Sequence, residues 1–82
     1  MRMEAEPSRR IPWACRRGLL ELDLWLAPLA RNHARLAAED VPVCLELLAE
    51  ADRKLLDWLE GRALPPHKFR PLIEFICKGC AP

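Results

Sequence analysis

At 82 residues, 51% apolar and 30% charged, the chain has the composition of one small folded domain. A domain of that size buries roughly 60 to 65% of its unfolded surface, too little to enclose a cavity of enzyme size. The formal net charge of +1 excludes the strong overall basic field that draws a domain to DNA or to an anionic membrane.

Charge is uneven along the chain. Residues 1–18 hold Arg2, Arg9, Arg10, Arg16 and Arg17 against Glu4 and Glu6. The opening MRMEAEPSRR is too polar and too acidic for a secretory signal or an organelle transit peptide, so a cytoplasmic bacterial protein is expected. Residues 1–7 read as a flexible N-terminal segment, 8–77 as a helical domain and 78–82 as a short C-terminal tail.

A short helix is expected from about 8 to 15, and a longer one from about 18 to 33. In the second, Leu19, Leu22, Leu26 and Leu29 recur at helical spacing, and Leu20, Leu24 and Ala27 form an adjoining apolar row. So wide an apolar face suits the central helix of a bundle. Pro28 removes a backbone donor inside this pattern and is expected to kink or loosen it. The apolar stretch Gly18 to Ala30 is interrupted by Glu21 and Asp23 and is shorter than the roughly 20 residues that span a bilayer, so no direct membrane insertion is expected.

A third helix, about 40 to 49, opens near Asp40 and Pro42, with Cys44, Leu47, Leu48 and then Ala51 facing inward. Asp52 is placed to N-cap a fourth helix, Arg53 to Glu60, and Gly61 to end it in the left-handed conformation. The last segment carries Phe69, Leu72, Ile73 and Ile76 at helical spacing after Pro65 and Pro66, with its first turn left open by Pro71. Sustained alternation and hairpin turns are absent. The sum is an all-α fold: a compact five-helix bundle forming a single small domain, expected to be a monomer.

No serine, histidine or cysteine stands in a recognisable nucleophile or base motif, and Gly18, Gly61 and Gly79 lie too far apart for a phosphate-cradling loop. An enzyme is therefore not expected. Of Cys15, Cys44, Cys77 and Cys80, only the last two form a CxxC pair, while His33 and His67 are isolated; no metal site is expected from that pattern. Two other classes stay open. One is a small helical nucleic-acid binder using Arg9, Arg10, Arg16 and Arg17 as phosphate contacts. The other is a redox or metal module built on Cys77 and Cys80.

The stretch WACRRGLLELD, residues 13 to 23, sets two arginines and a glycine against the start of the most apolar helix. Capping accounts for part of it: Gly18 could be the N-cap and Glu21 the third helical residue, whose carboxylate suits the positive end of the helix dipole. That dipole disfavours Arg17 and its neighbour Arg16. The reading that follows is a rigid mixed-charge patch for a partner protein, in which Arg17 can be lost without harm to the isolated domain. Trp13 is either core or part of the patch. Asp23, set among leucines, is expected to pair with an arginine or face outward, and Cys15 to be a packed thiol.

The same run, Trp13-Ala14-Cys15-Arg16-Arg17-Gly18-Leu19-Leu20-Glu21-Leu22-Asp23, resembles the signature of the SdhE-type FAD assembly factors of succinate dehydrogenase and fumarate reductase, whose hallmark is Arg-Gly-x-x-Glu. Leu47-Leu48, Asp52, Leu55-Leu56-Asp57-Trp58-Leu59 and Gly61 agree with that family too, and the terminal CKGC lies outside its pattern. The resemblance implies a five-helix protein that binds the flavoprotein subunit and promotes covalent attachment of its FAD. It implies also that the flavin-accepting histidine and the FAD belong to the partner, with no cofactor held tightly by the small protein, no nucleic acid and a largely autocatalytic attachment. Carried over by position, Arg17, Gly18 and Glu21 would meet the flavoprotein, with Arg16, Trp13 and Asp23 as further candidates.

Overall fold

The computed structural model describes residues 7–79. Five α-helices follow one another: α1 (Arg10–Ala14), α2 (Leu20–Asn32), α3 (Val41–Leu48), α4 (Asp52–Leu59) and α5 (Arg70–Cys77). Single 3-10 turns precede α1 at Pro7–Arg9, follow α2 at His33–Arg35, and lead into α3 and α5 at Ala38–Asp40 and His67–Phe69. No strand occurs among the described residues. The five-helix, single-domain architecture expected from the periodicity is the one observed.

Helix α1 packs against α2 and α3, and α2 packs also against α4 and α5, which in turn touch each other. The central role expected for α2 follows from these contacts. One core joins all five helices: Ile11 from α1; Leu22, Leu26 and Leu29 from α2; Val41, Cys44, Leu47 and Leu48 from α3; Leu55, Leu56, Trp58 and Leu59 from α4; and Leu72, Ile73 and Ile76 from α5. Each such large side chain contributes roughly 1.5 to 3 kcal/mol by leaving water. Trp58 and Phe69, with ring centroids 5.8 Å apart and planes inclined at 42°, tie α4 to the turn before α5 in a favoured tilted arrangement.

The second apolar row of α2 is a correction. Leu20 is 73% exposed and Leu24 66% exposed, and Leu19 ahead of the helix is also exposed, whereas Leu22, Leu26 and Leu29 are fully buried. The helix is wide in apolar residues but buries a single stripe of them. Pro28 lies inside α2, which continues to Asn32; the Asn32 amide donates to the Pro28 carbonyl at 3.0 Å.

The ends of the helices follow local chemistry. Pro42 and Pro71 both occupy the first turn of their helices, where the missing N–H would have had no intrahelical partner; this resolves the open first turn of α5. Gly61, at φ +79°, closes α4 in a Schellman arrangement: Arg62 N–H donates to Asp57 O at 2.8 Å and Gly61 N–H to Trp58 O at 3.3 Å. The left-handed end expected at Gly61 is thus present.

Two expectations at the α3–α4 junction are overturned. Ala51 is exposed rather than inward and is itself the N-cap of α4. Asp52 is the first helical residue, and no side chain caps this helix. Its carboxylate is engaged elsewhere, by an arginine 35 residues away in sequence.

Candidate protein-docking face

Helix α2 begins at Leu20 with Leu19 as its N-cap, in extended conformation and without a side-chain cap bond. Gly18 is therefore not the cap, and Glu21 is the second helical residue rather than the third. The connection from α1 is the short loop Cys15 to Leu19. Gly18 adopts φ +81° there, a conformation costing a side-chain-bearing residue roughly 1 to 2 kcal/mol. A Cβ at that position would meet nothing within 4 Å. Backbone conformation, not crowding inside the chain, requires the glycine.

Arg17 does not reach outward. Its side chain is only 14% exposed, and four acceptors meet the guanidinium: Nε donates to Asp52 Oδ1 at 2.8 Å, Nη1 to Ala14 O at 3.1 Å and to Leu48 O at 2.5 Å, and Nη2 to Glu50 O at 2.7 Å. Ala14 and Leu48 are the last residues of α1 and α3, so the cation sits at the negative ends of two helices, where the dipole favours it. The expected conflict between Arg17 and the dipole of α2 does not arise, because the charge is turned away from that helix. Hydrogen bonds to a charged group contribute about 1.5 to 3 kcal/mol each when buried. The expectation that Arg17 is dispensable to the isolated domain is accordingly replaced by a structural role.

Asp23 completes the arrangement. Its Oδ1 accepts the backbone N–H of Arg17 at 2.9 Å, so the carboxylate among the leucines of α2 is paired with the loop backbone. Arg17 is thereby held from both its backbone and its side chain. Cys15 is buried, as a packed thiol should be.

The remaining candidates are on the surface. Gly18 and Glu21 are exposed. Trp13 is 73% exposed rather than core, and the Arg16 guanidinium lies 5.3 Å from the centre of its ring, a cation–π contact worth about 0.5 to 1 kcal/mol at an exposed site. The candidates do not converge on one hollow. Arg16 and Asp23 line one depression with Pro12, Cys15, Ala27 and Ala30. Glu21 lines another with Leu24, Trp25, Pro28 and the end of α5, and Trp13 faces a third beside α3. The loop bearing Gly18 lies between α1 and α2 in sequence, and the exposed surface on its α2 side carries Leu20, Glu21 and Leu24.

Leu20 and Leu24, one helical turn apart, were missed as surface residues because a leucine at helical spacing carries no mark of which face it takes. The position of Asp52 satisfies the capping pattern, but its carboxylate meets Arg17 instead. The backbone carbonyls that hold Arg17 have no sequence signal at all.

The cysteine chemistry is unpromising. Among the described residues, no group of three His, Cys, Asp or Glu side chains could hold a metal ion. Cys80, the second member of the CxxC pair, lies outside the described residues. Although Cys77 is exposed as a residue, its Sγ lies 3.7 Å from the Leu59 carbonyl. Burial of the thiol, helped by the negative charge of Glu74, pushes its pKa above the ordinary value. It is a protonated, weakly nucleophilic thiol at neutral pH. No helix among the described residues is long and apolar enough to cross a membrane.

The family described as "flavinator of succinate dehydrogenase" matches residues 9–80. This chain belongs to that family. Among its relatives, the FAD assembly factor SdhE of Francisella tularensis subsp. tularensis is 39% identical over 72 residues, covering 84% of this chain and 74% of the relative. The FAD assembly factor SdhE of Legionella pneumophila is 35% identical over 75 residues, covering 90% and 95%. That of Coxiella burnetii is 37% identical over 71 residues, covering 84% and 87%. No solved structure matches the chain.

Proposed function

We infer that this member of the flavinator family is an FAD assembly factor: it binds the flavoprotein subunit of succinate dehydrogenase and promotes attachment of FAD to that partner. The observation that carries the reading is the family match over nearly the whole described domain. The exposed face around Gly18 supports a binding role: Leu20 and Leu24 present apolar surface there beside the Glu21 carboxylate. Exposed apolar side chains rimmed by charge are a common form of protein-docking surface.

The chain contributes contact rather than chemistry. Gly18 lets the partner approach the loop backbone closely, Leu20 and Leu24 bury apolar area against it, and Glu21 supplies a charged anchor. Trp13 and Arg16 extend the surface on the α1 side. Arg17 and Asp23 serve the same face from within by fixing the loop. The flavin and its accepting residue belong to the partner, whose domains the chain holds in a competent arrangement, and the protein works as a monomer in the cytoplasm. The flavoprotein subunit of fumarate reductase is the alternative client.

The test is co-expression of each flavoprotein subunit with and without this chain, reading protein-bound flavin by fluorescence after denaturing electrophoresis. The flavin signal should rise with the wild-type chain and stay at the background level with Gly18→Arg, which folds less favourably but places a long side chain on the approach surface. Equal covalent flavin with and without the wild-type chain would exclude the assembly role. A response from one flavoprotein alone assigns the client.

A further inference from the structure

We propose that Asp52 is a positioning residue for the docking face, acting through the Arg17 guanidinium to set the conformation of the loop at Gly18. The proposal rests on the docking reading above. It concerns a residue at the start of α4, on a different helix from the motif.

The loop Cys15 to Leu19 is anchored at its two ends, where Cys15 N–H donates to Ile11 O at 3.0 Å and Leu19 O accepts from Asp23 N–H at 2.8 Å, and its middle rests on Arg17. Arg16 N–H closes a turn onto Trp13 O at 3.1 Å, Gly18 is in the left-handed region, and a side chain there would touch nothing. A glycine so placed has wide conformational freedom unless a neighbour is fixed. Arg17 is that neighbour. Asp23 holds its N–H, and the guanidinium plugs a socket made by the carbonyls of Ala14, Leu48 and Glu50. Among the described residues, Asp52 is the side chain that closes this socket, accepting from Nε at 2.8 Å.

The geometry of the guanidinium makes the carboxylate matter. The fork is planar and rigid, so fixing Nε fixes the directions in which Nη1 and Nη2 point. With Asp52 in place, the three carbonyls are met together; without it, the fork keeps only neutral acceptors and loses the one that fixes Nε, so the loop is held less firmly. Asp52 is 42% exposed and Arg17 14% exposed, so the carboxylate bridges from solvent to a largely enclosed cation. The exposed shape of the loop is thus set by the junction between α3 and α4.

The experiment compares binding of the purified full chain to the recombinant flavoprotein subunit of succinate dehydrogenase, at a temperature where every variant is folded. Asp52→Ala should weaken binding about tenfold, the usual effect of losing one charge-assisted hydrogen bond. Asp52→Asn, which keeps an acceptor oxygen, should recover part of it. The control is Leu72→Ala, a core change on α5 that lowers the melting temperature without touching the loop or its socket. It should alter binding by less than about twofold, as expected of an independent site. The amide resonance of Gly18 should shift in Asp52→Ala and stay in place in Leu72→Ala. Wild-type affinity in Asp52→Ala would overturn the proposal, as would affinities of all variants that track melting temperature alone. If Asp52→Ala does not fold, Asp52→Asn carries the same test. Wild-type affinity in Gly18→Arg would remove the docking reading itself, and this proposal with it.

Discussion

Helix α2 presents two leucine stripes of similar composition and opposite fate. Leu22, Leu26 and Leu29 are fully buried in the common core, while Leu20 and Leu24 are left in water. The residue type and the spacing are the same, so hydrophobicity alone does not separate stability from recognition here. The difference is what the rest of the chain offers to cover. Helices α1, α4 and α5 pack against α2, and among the described residues nothing covers Leu20 and Leu24. The exposed stripe stands beside Gly18 and Glu21, which makes it available to a partner.

The largest effect that would sharpen this contrast is expected in the buried stripe. Leu26→Ala should cost about 2 to 5 kcal/mol by lost transfer energy and the cavity left behind, read as a large drop in the thermal midpoint. A change below 1 kcal/mol would mean that α2 is not the core of the fold.

Arg17→Ala comes next. Removing the guanidinium leaves three carbonyls and the Asp52 carboxylate without their donor, an expected loss of roughly 2 to 3 kcal/mol, or a fall of about 10 °C or more in a domain of this size. Arg17→Lys should recover only part of this, because an ammonium cannot reproduce the fork. If Arg17→Ala melts like the wild type, the socket contributes nothing to stability and the arginine belongs with the exposed face.

The exposed stripe should behave in the opposite way. Leu20→Ala and Leu24→Ala should each change stability by no more than about 0.5 kcal/mol, as surface substitutions usually do. Together they should weaken binding to the flavoprotein by about tenfold or more, because both truncations remove apolar area that docking would take out of water. Calorimetric binding beside melting curves separates the two effects. Unchanged affinity in the double variant would reduce this stripe to ordinary exposed surface.

The smallest effect is expected at Cys77, which lines the same depression as Glu21 and Leu24 but whose thiol makes only a long contact with the Leu59 carbonyl. Cys77→Ser should alter stability by less than about 0.5 kcal/mol. The folded thiol has a raised pKa, so the fold holds its proton more firmly than the unfolded chain does. That contribution is present below the unfolded thiol's pKa and is lost as pH rises through the folded value. Alkylation mapped to Cys77 by mass spectrometry should therefore be slow at neutral pH and quicken only in alkaline solution. Rapid labelling at pH 7 would point to a thiolate and revive a redox role.

Much of this molecule is legible in its sequence, for reasons that are local. The period of the leucines determines the helices, Gly61 determines the end of α4 because only a left-handed residue completes that turn, and Pro42 and Pro71 are readable as first-turn residues. The run Trp13 to Asp23 points to the family. What tertiary structure alone decided is direction. Leu20 could not be told from Leu22 until neighbouring helices covered one and not the other. Arg17 could not be assigned as inward or outward, because its partners are backbone carbonyls at the end of α1, at the end of α3 and just past α3, and an aspartate 35 residues away. Carbonyls are present at every residue and carry no sequence mark; only folding brings three of them to one point, and the charge goes where they converge.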